Sequence, residues 1–373
     1  MFNKYILIRN IATISLIGYM LYWYFPIPPA FWRLVWVFLS LYAILHSKGR
    51  RLPAENMILV FGLFNLIHFF ISFIWLTPNT SFIGNALSSL LVVSLFAWLA
   101  DKEVLNDRFF SIVGIIFIIA SIIGFYHYRV MVLTKQDRDL DSDLTNNSSA
   151  SFLMFIPMLF LLKNNLQKWL TLMICLFFLI LGAKRGNLLA VVIPIILFIT
   201  YTFINTRRSV LKIILIIVLL AASAFYVYRW VVSNDYLMDR IEQTQEGDSS
   251  NRDRIYLNMW NKWYESDNTI NYLFGYGYQG TSSLGVSAHS DWLEILVDYG
   301  LLGILLYLMI FIALTRQILR TKNLQLKYIL ISASIIWFFK SVYSMGFVSP
   351  YTPILMISLG TALGQNKLER SLS

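Results

Sequence analysis

AHSDWLEILVDYGLLG, residues 288–303, runs straight into an apolar stretch that continues to 314. Taken as a helix, residues 291–314 reach about 36 Å, more than the roughly 30 Å of hydrocarbon in a bilayer. A helix entering lipid has no use for His289, Asp291, Glu294 and Asp298. The three acids are spaced by three and four, so they share one helical stripe, and that stripe must face protein or water. The stretch therefore reads as part membrane helix and part wall of a polar site. Asp291 also suits a helix N-terminus, where its charge offsets the dipole, but that explains Asp298, two turns further in, poorly.

The rest of the chain agrees with a membrane setting. Of 373 residues, 58% are apolar and 13% charged, the latter about half the share usual in soluble domains. Mean hydropathy is +0.64. Runs of roughly 20 apolar residues recur along the whole length. Twelve spans are expected, at about 5–25, 31–46, 57–76, 82–100, 110–130, 151–162, 168–182, 187–204, 210–232, 291–314, 326–346 and 352–364. They lack the alternation of a barrel strand, so the fold class is an all-α polytopic membrane protein, one integral domain over 1–373. The first run has no small-residue cleavage site after it and reads as a retained helix.

Charge orients the spans. With the N-terminus inside, the inner segments hold 18 of the 30 basic residues and five acids, net +13, while the remainder holds 12 bases and 15 acids, net −3. The formal charge of +10 is thus a topology signal, and nucleic acid is not an expected partner. Both termini are expected in the cytoplasm. The single cysteine, Cys175, rules out an internal disulfide and a cysteine metal site.

Two outer loops follow from this orientation. The smaller, 131–150, is polar; its Asp139, Asp141 and Asp143 have calcium-loop spacing, but Leu144 and Ala150 replace the required Gly and Glu. The larger, 233–290, contains NRDRIYLNMWNKWYES, in which Tyr256, Met259, Trp260 and Trp263 fall on one helical face. With Arg252, Arg254 and Lys262 nearby, this suggests a helix lying on the outer membrane surface. Gly275, Gly277, Gly280 and Gly285 then mark irregular backbone.

Lys184 and Arg185 lie in a short break between two apolar spans, on the side where positive charge is disfavoured. They could be a snorkelling pair. They could also form an anion site, with Gly182 and Gly186 admitting a ligand and a helix N-terminus following near Asn187. Arg33, Arg129, Arg229 and Lys340 also fall near outer helix ends, each alone readable as a snorkelling residue. His289 precedes the acids and has the pKa range to take a proton from a hydroxyl.

These segments resemble one family. HSDWLEILVDYGLLG is similar to the pattern of O-antigen ligases and Wzy-type polysaccharide polymerases, in which His is followed by Asn, Ser or Gln, nine residues, Gly, two residues and Gly. Here these are His289, Ser290, Gly300 and Gly303. GAKRGNLLA fits that family's Arg-x-x-x-Leu element at Arg185 and Leu189. An arginine-rich segment before an aromatic helix and Gly-x-Gly fits at Arg252, Arg254, Trp260, Gly275 and Gly277. The chain departs in having Lys184 where the family more often has Ser, and spacing does not decide between Arg252 and Arg254.

The resemblance implies a glycosyltransferase of the bacterial inner membrane, working on its outer side without metal or other cofactor. It implies a donor glycan linked through diphosphate to undecaprenol, with Arg185 and Arg252 or Arg254 stabilising the leaving diphosphate and His289 as base. Lys184 and Tyr256 would line the substrate site, and Asp291 or Glu294 would orient the imidazole. A polymerase transferring the chain onto the next lipid-linked repeat is favoured over a ligase acting on lipid A–core. Membrane lipids are partners, and a chain-length regulator is allowed. A lipid-linked oligosaccharide transporter is the alternative from another class, disfavoured because the charges cluster at the outer boundary rather than at mid-membrane. Metal-dependent polyprenyl-phosphate transferases resemble one another in having acids in the first outer loop, which here is PIPPA.

Overall fold

The computed structural model describes residues 2–21, 27–47, 51–75, 80–136, 146–182, 184–205, 252–281 and 289–372, with a few isolated positions between 229 and 238. Among these residues there are thirteen α-helices and no strand. They are α1 Phe2–Met20, α2 Pro29–His46, α3 Pro53–Trp75, α4 Thr80–Asp101, α5 Asp107–Gln136, α6 Ala150–Phe155, α7 Asn165–Leu181, α8 Arg185–Asn205, α9 Arg252–Tyr264, α10 Thr269–Phe274, α11 Asp291–Arg320, α12 Leu324–Tyr343 and α13 Thr352–Leu372. Short 3-10 turns, Asn147–Ser149 and Ile156–Leu161, flank α6.

Seven of these helices, α2, α3, α4, α5, α8, α11 and α12, are long and apolar enough to cross a membrane. Their outer faces carry large apolar side chains such as Leu45, Ile74, Phe38 and Phe70, each more than 60% exposed. So large an apolar surface needs lipid to cover it. The chain is an all-helical, multi-pass membrane protein.

The expected twelve spans are not all matched. The one at 210–232 falls largely outside the described residues. The one at 151–162 is a different object. Its α-helix gives way to a 3-10 turn at Ile156–Leu161, with Pro157 near the switch, where a proline removes a backbone donor. At 1.5 and 2.0 Å per residue the pair reaches only about 21 Å. Every residue from Ala150 to Leu161 is buried, and the 3-10 turn packs on α5, α7, α8, α12 and α13. It is a core piece, hydrophobic all round because it meets protein all round.

Small residues allow the tightest approach. α13 packs along α4, where a Cβ on Gly360 would sit 2.4 Å from the Val93 carbonyl oxygen and one on Gly364 2.1 Å from that of Ala97. This is glycine at i and i+4 bringing two backbones together.

Polar contacts gather at the two ends of the bundle. One end joins Asp101 to Lys102 and Lys367, Asp107 to Lys163, and Asn323 to Glu369. These residues all come from segments that charge assigns to one side. The other end holds residues 146–149, 182, 184, 187, 252, 289 and 340.

At this second end α11 is kinked. Gly300 has φ +66 and ψ −162 inside the helix. The carbonyls of Val297 and Asp298 accept hydrogen bonds from the amides of Tyr276 (2.8 Å) and Gly277 (3.0 Å). Gly275 and Gly277 also have positive φ, +73 and +92. A Cβ on Gly275 would lie 2.3 Å from the Asp298 carbonyl carbon, and one on Gly300 2.5 Å from that of Leu273. Two glycine turns therefore interlock, fixing the 275–281 loop onto the start of α11. Gly300→Ala combines left-handed strain with backbone overlap and is expected to cost at least about 2–4 kcal/mol. Gly124, inside α5, where an added Cβ would meet nothing within 4 Å, is the control: Gly124→Ala should leave stability unchanged or raise it slightly. Thermal denaturation in detergent checks both, and equal melting temperatures would contradict the interlock.

Candidate active site

The floor of the second end is the 3-10 turn at Asn147–Ser149. Asn146 is its N-cap: its Oδ1 accepts from the Ser148 amide at 2.9 Å, its Nδ2 donates to the Phe125 carbonyl at 2.9 Å, and its amide donates to the Gly182 carbonyl at 3.0 Å. A Cβ on Gly182 would fall 2.4 Å from that of Ser149, so the end of α7 lies directly on this turn, and α8 begins at Arg185, two residues before the start expected from sequence. The smaller outer loop expected over 131–150 is thus interior at its end: Asn146, Ser148 and Ser149 are buried. Residues 131–136 continue α5, and Asp139, Asp141 and Asp143 lie outside the described residues.

On this floor Lys184 donates to Asn147 Oδ1 at 2.8 Å, and Asn147 donates to the Tyr128 hydroxyl at 3.0 Å. Asn187, fully buried, donates to Ser149 Oγ at 3.0 Å and accepts from Lys340 Nζ at 3.3 Å. α8 begins at Arg185, whose side chain lies outside the described residues.

Residues 252–281, from the loop expected over 233–290, supply the roof. The aromatic helix expected there is α9. Its Met259 and Trp263 pack on Leu296 and Val297 of α11, with Tyr256 alongside, so this face meets protein rather than lipid. Leu257, Trp260 and Tyr264 stay exposed, as do Ile270, Leu273 and Phe274 of α10; this surface suits a membrane interface. Lys262 ties the loop by donating to the Gly280 carbonyl at 2.7 Å and lying over the Tyr276 ring at 4.9 Å. The packing turns Arg252 inward, where Nη1 donates to the Tyr343 carbonyl at 3.3 Å. Arg254 is exposed, as its spacing requires, since positions two apart do not share a helical face.

His289 adopts φ +51, a left-handed conformation uncommon for residues with a side chain. Next to it Ser290 is the N-cap of α11, without a side-chain capping bond; its hydroxyl instead lies 3.4 Å from the Ser341 carbonyl. Asp291 does not cap its own helix. Its Oδ2 accepts from the amides of Gly346 (2.7 Å) and Phe347 (3.1 Å) and from the Tyr307 hydroxyl (3.1 Å). Tyr307 in turn pairs with Ser341 Oγ at 2.5 Å. This network binds the start of α11 to the end of α12 and the loop after it. Asp298 binds the amides of Gln279 (3.1 Å) and Thr281 (2.9 Å), so it organises the glycine loop. Glu294 is half-buried on the same stripe.

Electrostatics connect the parts. Partial desolvation, then the charges of Arg252, Lys184 and Lys340, hold the His289 pKa below its ordinary 6.5. Its imidazole is therefore neutral at pH 7 and able to accept a proton. Burial, with Arg252 beside it, lowers the Lys184 pKa to about 8. Burial raises the Tyr256 pKa, while neighbouring Arg252 opposes the rise. Among the described residues neither Lys184, Arg252 nor Lys340 has a carboxylate within ion-pair distance. No three His, Cys, Asp or Glu side chains are grouped there to hold a metal ion. Of the residues expected from sequence, the fold gathers Lys184, Arg252, Tyr256 and His289, together with the helix start at Arg185. It adds Lys340, which sequence reading leaves as one of several helix-end cations.

Residues 170–308 match the family model described as O-antigen ligase. The match bears out the resemblance seen in the sequence and runs from α7 to the middle of α11, across Lys184, Arg185, Arg252 and His289. No curated protein matches the chain. The domain supports a membrane glycosyltransferase of the O-antigen ligase or polymerase type.

Removing a nearby positive charge should let His289 titrate closer to its usual range. Arg252→Gln is expected to raise the His289 pKa, measured by NMR on protein carrying 13C-labelled histidine. An unchanged titration would mean that Arg252 does not face the imidazole.

Proposed function

We propose that this protein is a polysaccharide polymerase for O-antigen or capsule. It transfers a glycan chain from undecaprenyl diphosphate onto a hydroxyl of the next lipid-linked repeat unit. The observation that carries the reading is the convergence of a neutral, exposed His289 with Lys184, Arg252 and the start of α8, drawn from three separate parts of the chain.

The chemistry follows from the two kinds of group. The His289 imidazole takes the proton of the acceptor hydroxyl. The acceptor oxygen forms a bond to the sugar C1 as the C1–O–phosphate bond breaks. Attack opposite the diphosphate inverts the anomeric centre. The electron pair leaves with undecaprenyl diphosphate, and fixed cations stabilise that charge without reorganising. Arg252 and Arg185 carry this role, with Lys184 and Tyr256 lining the site. The charge bias of the sequence supports a site on the outer side of the bacterial inner membrane, with both termini in the cytoplasm.

The family match supports a second reading equally, a ligase; such an enzyme would deliver the finished chain to lipid A–core. Envelope glycans of a deletion strain, complemented by wild type or by His289→Ala, separate the two. Core bearing one repeat is the polymerase result; polymer retained on undecaprenol is the ligase result. His289→Ala should reduce transfer by about 10²–10⁴ at normal membrane levels. Restoration of the full ladder by His289→Ala would overturn the mechanism.

A further inference from the structure

α12 ends at the site with a lysine that lies beyond the family match. Lys340 is only 3% exposed, and its ammonium reaches Asn187 Oδ1 at 3.3 Å. Among the described residues it has no carboxylate within ion-pair distance. Asp291 is near enough to act on it electrostatically, but the Asp291 Oδ2 already serves two amides and the Tyr307 hydroxyl. Lys184 also acts on it, and as a like charge.

A buried ammonium costs several kcal/mol unless a counter-charge offsets it. Stability alone would favour Met or Leu at a position packed this closely. A snorkelling lysine reaches for water, whereas this one is held inside by an asparagine that is itself fully buried and fixed through Ser149.

We propose that Lys340, held by Asn187 beside Lys184, Arg252 and His289, is a further cation of the donor site, binding the diphosphate and stabilising the charge it gains as the sugar leaves. The inference rests on the glycosyl-transfer reading given above. The electron pair of the breaking C1–O bond goes to the diphosphate oxygen, and the proton goes to His289, so Lys340 supplies charge and hydrogen bonds but no proton.

The test uses the full chain in nanodiscs, with an undecaprenyl-diphosphate-linked repeat unit as donor. Lys340→Met should lower kcat by about 10²–10³ with KM changed less than about fivefold, the pattern of an interaction strongest in the transition state. Lys340→Arg should recover part of the loss. A second readout reports charge rather than packing. The cations acting on His289 are Lys184 from the connection before α8, Arg252 from α9 and Lys340 from α12, with Asp291 and Glu294 in the first turn of α11, the helix that follows it. Removing Lys340 should therefore move the acid limb of kcat/KM to higher pH.

A Lys340→Met enzyme within about threefold of wild-type kcat overturns the proposal. So does lost activity with an unmoved acid limb and no recovery in Lys340→Arg, which would assign the residue to packing. Wild type and His289→Ala run alongside separate the two levels: no transfer by wild type sinks the glycosyl-transfer reading itself, and retained transfer in His289→Ala sinks the role of His289 as base. An inactive His289→Ala beside a normal Lys340→Met sinks only the role of Lys340.

Discussion

Like charges held together repel, and this fold spends packing energy to hold them. At an effective dielectric of about 20, two unit charges roughly 8 Å apart cost about 2 kcal/mol. Lys184, Arg252 and Lys340 all act on one imidazole, and among the described residues none is ion-paired. Everything around them keeps the cluster from relaxing. Lys184 is tied to Asn147, Lys340 to Asn187, and Arg252 to the end of α12.

The supports are polar, short and buried. In the turn at 146–149 the amides of Ser148 and Ser149 are satisfied by Asn146, whose own amide reaches the Gly182 carbonyl at the end of α7. The interlocked glycines at 275–277 and 300 seat α9 and α10 on α11, and Asp298 closes the loop they form. Asp291 does the same for the segment after α12. The two aspartates of the opening stripe are thus structural organisers of the site wall, each bound to backbone amides far away in sequence. That leaves His289 placed from both sides, in a left-handed conformation that its surroundings must over-determine.

Much of this was legible beforehand. Apolar runs and charge bias identify a multi-pass helical protein, and the residues of the family motif fall where the site forms. Other parts could not be read, for identifiable reasons. Lys340 looks like any cation at a helix end, because its burial depends on Asn187, 153 residues earlier. Residues 146–149 are polar and so resemble a surface loop, yet their side chains satisfy one another and fit beneath Gly182. The apolar run at 151–162 passes for a span until its 3-10 turn and its complete burial are seen. Arg252 and Arg254 are separable only when α9 is docked, since either could face inward on an isolated helix.

In the proposed reaction this cationic cluster receives the donor's diphosphate, with His289 beside it. The most direct measurement is a cryo-EM structure of the full chain in nanodiscs with undecaprenyl diphosphate bound. Both phosphates are expected within hydrogen-bonding distance of Lys184, Arg252 and Lys340, with His289 next to the position vacated by the sugar. Phosphates bound elsewhere, with the cluster unoccupied, would contradict it.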